Sequence, residues 1–270
     1  MKGDLIFGEG VVGELRQPRS FDEWREAKRN TFEELRKILF GSVAVAESVL
    51  NGFLDLQVAA QPMNPNDDRV LLKPMLMSAH RGLLNSMQLL LEGQFLEAFA
   101  IFRPSAELAG HALKMSRDVK LVRVWLNRDK DEKSFDKAFK PHLPKDDSLT
   151  AGLFKLWDMA SDTGMHANAK MIIFHFEQDD KGLATRYFFT DIMMLQKIFI
   201  HFIHNATSIL KIYATGFGLY FGKDFMPIVQ GAIDKVQDHV NSYSRQILVE
   251  AEEDAREEHK ARAAKPGGGS

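Results

Sequence analysis

Three side chains carry the chemistry of one long apolar stretch. Between Ala98 and Leu113 the formal charges are Arg103 and Glu107, and the histidine is His111. Spaced i, i+4, i+8, they lie along one ridge of a helix, drifting by about 40° per step. An unpaired charge on a buried helix is costly, so Arg103 and Glu107 are expected to pair with each other or with other helices. Such a ridge either locks helix register or binds an anion and orients a third group in an internal cleft.

A second cluster follows a helix end: Ser161-Asp162-Thr163-Gly164-Met165-His166-Ala167-Asn168. His166 can serve as a general base or a ligand, with Ser161 and Asn168 beside it. The plainer alternative is that these side chains satisfy backbone groups at a helix terminus. Further on, His201, His204 and Asn205 sit in an apolar run, with His201 and Asn205 sharing a face. Glu107, His111 and His166 can join them in a mixed histidine and carboxylate metal site. Nothing in the spacing demands one, and histidines on apolar helices usually serve as satisfied core residues. No metal and no cofactor is therefore expected.

Gly8-Glu9-Gly10-Val11-Val12-Gly13 matches G-x-G-x-x-G. A dinucleotide site needs that motif between a strand and a helix packed on a parallel sheet. Pro18 arrives too soon and no βαβ pattern follows, so the segment reads as a flexible or hairpin-like lead. Phosphate-loop, zinc-protease, nucleophile-elbow and calcium-loop patterns are absent. Residues 117–145 hold nine Lys/Arg against five acids, with Trp125, Phe135 and Phe139 among them. Nucleic-acid contact is conceivable there, but acids interleave the bases and a solvated charged connection is the simpler reading.

The elements that must position these groups follow from composition and period. The chain has 270 residues, 45% apolar and 27% charged, with net charge −2, enough apolar content for a continuous core. It has no cysteine, which removes disulfides, thiolate metal sites and cysteine nucleophiles together. The balanced charge excludes a globally basic nucleic-acid binder. Asp4, Glu9 and Glu14 interrupt the N-terminal apolar stretches, unlike a signal peptide. The best membrane candidate, residues 192–210, is interrupted by Gln196, Lys197, His201, His204 and Asn205. It reads as a buried helix of a cytoplasmic protein with no membrane partner.

Helical spacing runs from Ser20, whose pairing with Glu23 fits a capping box, to about residue 57, with Gly41 as a candidate break. Further helices are predicted over 70–91, 94–115 with a kink at Pro104, 118–127 and 148–161. A long one spans 190–214 and is broken by the glycines of Gly216-Phe217-Gly218. The last spans 224–256. Residues 170–189 alternate and suggest a small β-hairpin. The fold class is all-α: a bundle of five or six long helices with an inserted hairpin near 170–189. Residues 1–19 form a flexible lead, 20–256 a single domain and 257–270 a disordered tail. Within 250–262, Glu252/Arg256 and Glu258/Arg262 have helix-stabilising spacing and suit an exposed helix end or a partner-binding arm.

The run LLNSMQLLLEGQFLEAFAIFRPSAELAGHALKM, followed after a polar linker by LWDMASDTGMHAN, resembles an uncharacterised bacterial all-helical family similar to HEPN-type bundles. The pattern is an Arg-x-x-x-Glu helix, then a Ser…His-x-Asn segment, which maps onto Arg103, Glu107, Ser161, His166 and Asn168. The resemblance spans about residues 75–215. It implies a helical bundle and a place in defence or toxin-type gene neighbourhoods. HEPN ribonucleases carry Arg-x4–6-His on one helix, and no histidine of this chain has an arginine five to seven residues before it. A ribonuclease would need Arg103 and His166 to meet in space.

The sequence thus points first to a self-associating interaction or regulatory module with an internal Arg/Glu/His cluster, its homo-oligomer or protein contacts made by surplus apolar surface. Its alternative is a HEPN-like hydrolase in which His166 is the base, Arg103 stabilises phosphate charge and Glu107 orients them, with His111, Ser161 and Asn168 in binding roles. The second alternative is a metalloprotein of the bundle core.

Overall fold

The structure, a computed structural model, describes residues 20–154, 176–179, 182–185 and 192–263. Its class is all-helical. The first helix, α1 (Phe21–Ile38), starts where the capping spacing places it: the Glu23 N–H donates to Ser20 Oγ at 3.1 Å. The chain then breaks at Leu39, not at Gly41, and α2 (Phe40–Ala59) leaves at 94° to α1. The cause is a change of environment. Helix α1 is charged and exposes most of its surface, whereas α2 is apolar on nearly every side and enters the core between other helices. Leu35, Leu39 and Val43 are buried at the corner, and Ser42 Oγ is hydrogen-bonded to His239 Nε2 at 2.9 Å.

A 3-10 turn (Asp68–Leu71) leads into α3 (Leu72–Leu91), with Pro74 in its first turn where no N–H is needed. Gly93, at φ 72°, reverses the chain into α4 (Phe95–Arg117), which runs antiparallel to α3. The two helices approach closely. A Cβ on Gly82 would lie 2.1 Å from Ser105 Oγ, and Ser86 donates its hydroxyl to the Ala98 carbonyl at 3.0 Å. Helix α4 stays helical through Pro104, which faces solvent, while Phe99, Phe102, Ala106, Ala109 and Leu113 are buried.

Residues 128–147 are more than a solvated connection. After α5 (Lys120–Leu126) comes α6 (Glu132–Phe139), whose Phe135 and Phe139 are both buried. Alternating acids and bases hide a short amphipathic helix: two phenylalanines four residues apart anchor its apolar face, with Ala138 beside them. Residues 151–154 are helical again. Strands β1 (Phe176–Asp179) and β2 (Gly182–Thr185) lie antiparallel, with Phe176 opposite Thr185.

Helix α7 (Ile192–Phe221) does not stop at residues 216–218. It continues to Phe221 and ends before Gly222, at φ 65°. Two helical glycines cost roughly 1 kcal/mol each, but Phe217 is wholly buried and packs on Phe225. Burying one such side chain is worth about 1.5–3 kcal/mol, so tertiary packing carries the helix onward. The last helix, α8 (Met226–Ala263), has Pro227 in its first turn and runs past Arg256 to Ala263. The core lies where α4 and α2 pack on α7, with α3 and α8 closing its sides. Among the described residues no single helix is long and apolar enough to cross a membrane. Helices α1 and α2 pass that test only as a bent pair.

Candidate functional site

The ridge forms as its spacing requires, and its members differ in environment. The Arg103 Nε–H donates to Glu107 Oε1 at 2.9 Å, and the two side chains are 22% and 25% exposed. The pair is therefore partly open to water and not sealed in the core. One turn further, His111 is 5% exposed. Phe135 and Phe139 of α6 pack edge-on to its ring, with centroids at 5.6 and 4.8 Å.

Two residues outside the expected cluster complete it. His142 Nδ1 lies 3.0 Å from His111 Nε2, and the Trp125 indole N–H donates to His111 Nδ1 at 3.3 Å. An indole N–H can only donate, so His111 Nδ1 must be an acceptor. Neutral His111 then carries its proton on Nε2 and donates to His142 Nδ1. That leaves the His142 proton on Nε2. Each ring thus has its basic nitrogen occupied by a donor. The order Trp125, His111, His142 is a relay of donated hydrogen bonds in which neither lone pair is available to a metal or an incoming proton.

The electrostatics agree. Burial drives the His111 pKa down to about 3, helped by His142, Lys114 and Arg128. Burial also lowers that of His142. Glu107 pulls it upward, and Lys114, Lys140 and Arg103 reinforce the fall. Lys114, the next ridge position on α4, reaches over α6: its Nζ donates to the carbonyls of Ala138, Phe139 and Pro141 at 3.2, 2.9 and 2.8 Å. The first two are among the carbonyls that the end of α6 leaves without helical partners, where a cation is favoured. Burial depresses the Lys114 pKa. Gly110 lets the segment settle, because a Cβ there would lie 2.3 Å from the His142 carbonyl oxygen.

Of the remaining candidates, the described ones do not converge on this place. Ser161, His166 and Asn168 lie outside the described residues. His201 and His204 face outward from α7, whereas Asn205 turns inward and donates through Nδ2 to the His201 carbonyl at 2.7 Å. The helix twist between i and i+4 is enough to separate them across the core boundary. Among the described residues no group of three or more histidines and carboxylates could hold a metal ion.

A second feature was not read from the sequence. Helices α1 and α3, with the start of α2, enclose an open groove of about 690 Å³. Its floor is apolar (Trp24, Phe32, Met87 and Leu91), and Arg25, Lys28, Arg29 and Arg36 line it from α1. The opposing carboxylates are Glu47 and Glu92. Lys28 pairs with Glu92, and its Nζ stands 4.5 Å from the Trp24 ring centroid. At the rim Phe21 is 69% exposed and Leu84 45%. The legible signal was the mixed stripe Phe21, Arg25, Lys28, Phe32, Arg36 at helical spacing. His142, Trp125 and Lys114 gave no such signal, since only the α6 docking brings them together. Comparison with protein-family models, curated proteins and solved structures finds no match to this chain.

Proposed function

We propose that this protein is a non-catalytic interaction module that works by self-association of its helical bundle. The observation that carries this reading is the α1–α3 groove, which is open among the described residues, with its aromatic floor and exposed Phe21 and Leu84 at the rim. An apolar surface of this kind, edged by charge, suits a protein interface. The scaffold in this reading is a bundle of five or six long helices, with the β1–β2 pair as an insertion. The ridge residues serve as its internal lock. Arg103 is engaged by Glu107, and the lone pairs of His111 and His142 are consumed by donors. A hydrolase would need those groups turned toward a substrate.

Sedimentation velocity across a concentration series tests the proposal. The full chain should sediment as an oligomer at micromolar concentration. The double variant Phe21→Ser, Leu84→Ser should weaken association at least tenfold, equivalent to ~1.4 kcal/mol, with the melting temperature held because both side chains are already exposed. A chain that stays monomeric throughout the series refutes the reading.

A further inference from the structure

What fits the groove follows from its lining and rests on the self-association reading. Along the groove α1 carries Arg25, Lys28, Arg29 and Arg36 beside Trp24 and Phe32; the Arg29 and Arg36 side chains are 72% and 53% exposed, so these cations stand at its rim. Four cations stand there with two carboxylates: Lys28 pairs with Glu92 and Arg36 lies 3.9 Å from Glu47, which leaves Arg25 and Arg29 in excess, Arg29 standing 3.9 Å from Glu26. An occupant that answers this excess is apolar along one stripe and acidic on its flanks.

Among the described helices, the C-terminal part of α8 has that character. Helix α8 runs antiparallel to α2, as His239 at Ser42 and Lys235 near Ser48 show. Helix α2 begins at Phe40, so α8 passes its end soon after His239 and continues to Ala263. The two dozen residues beyond His239 extend about 36 Å. Within this arm, residues 248–262 hold six acids and three bases, the acids all within 250–258. Leu248, Ala251 and Ala255 recur at i, i+3, i+7 and define an apolar stripe. At 100° per residue, Glu252 falls on one flank of it, and Asp254 and Glu258 on the other. The lengths also match. Phe21 to Arg36 spans about 22 Å of groove wall, and residues 248–262 span about 21 Å of arm.

Helix α8 is one unbroken helix that packs on α2 and α7. We infer that the acidic C-terminal arm of α8 docks in the α1–α3 groove of a second copy of this chain, and that the contact is reciprocal across a two-fold axis. A helix laid in a groove by its apolar stripe is a common recognition mode, and reciprocal exchange closes the assembly at two chains.

Charge exchange in the full chain tests this. The groove variant Arg25→Glu, Arg29→Glu and the arm variant Asp254→Arg, Glu258→Arg alter exposed α1 positions and the projecting end of α8, so folding can be checked by melting. Native mass spectrometry and sedimentation velocity should show a dimer for the parent chain and at least tenfold weaker association for each variant alone. An equimolar mixture of the two variants should restore a dimer, since each arm then meets a groove of opposite charge. A parent chain that is monomeric overturns both this docking and the self-association reading. A dimer that neither variant weakens, or variants whose mixture stays monomeric, overturns the docking alone. So does a dimer of unchanged affinity accompanied by a bound anionic amphiphile that is lost from the groove variant, because the groove would then hold that molecule.

Discussion

Replacing Gly110 by alanine puts a methyl carbon into the segment that carries His142. The position is helical, and in open helix alanine is favoured over glycine by about 0.8–1.0 kcal/mol. Here the new carbon would stand 2.3 Å from the His142 carbonyl oxygen and 2.9 Å from Leu143 Cδ2. Backbone cannot yield as a side-chain tip does, so the whole turn must shift. Overpacking of this sort costs roughly 1–3 kcal/mol. The shift also pulls His142 from His111, with loss of a hydrogen bond worth about 0.5–1.5 kcal/mol. The propensity gain offsets only part of this, and a net loss of about 1–3 kcal/mol is expected. Gly231 in α8 is the internal control: nothing lies within 4 Å of a Cβ there. Gly231→Ala should stabilise by about 0.5–1 kcal/mol through propensity alone. Urea unfolding followed by far-ultraviolet circular dichroism measures both, with the slope checked for constancy. Opposite signs are expected. If Gly110→Ala stabilises as Gly231→Ala does, the 140s segment does not rest on α4 and the His111–His142 contact fails with it.

Glu107→Ala should cost about 1 kcal/mol or less, because the Arg103–Glu107 pair is partly open to water and Arg103 can turn outward; a loss of 3–5 kcal/mol, the size for a sealed pair, would show that the ridge is closed in solution. The folded-state pKa of His111, about 3, lies below the ordinary 6.5, so the unfolded chain binds its proton first as pH falls. The stability it contributes is complete above about pH 6.5 and declines toward pH 3, at up to about 1.4 kcal/mol per pH unit. His80, His142 and His239 are shifted the same way by burial. His111→Asn should therefore flatten, without abolishing, the decline in urea midpoint between pH 6.5 and 4.5, and an unchanged slope would contradict the burial of His111. Tyr213 is wholly buried on α7 with no hydrogen-bond partner for its hydroxyl among the described residues, and burial holds its pKa far above normal. Tyr213→Phe removes an unsatisfied group whose burial costs roughly 1–3 kcal/mol, so its thermal midpoint should hold or rise; a fall would mean that the hydroxyl has a partner in solution.

The sequence by itself determined what depends on spacing along one helix. The capped start of α1, the turn at Gly93, the ridge of Arg103 and Glu107 and the all-α class all follow from local pattern, because i, i+4 neighbours meet wherever a helix forms. Tertiary structure decided what depends on which helices meet. The glycines at 216 and 218 look like a break, yet Phe217 lies in the core and holds α7 through them. The charged stretch after Asn127 looks solvated, yet Phe135 and Phe139 anchor α6 against His111. His142 stands 31 residues from His111 in the chain. No period links them, and their contact exists because Gly110 lacks a side chain and Lys114 holds the end of α6. The groove is tertiary in the same sense. Its stripe is written in α1, but only the 94° turn at Leu39 sets that stripe against α3 and leaves space between them.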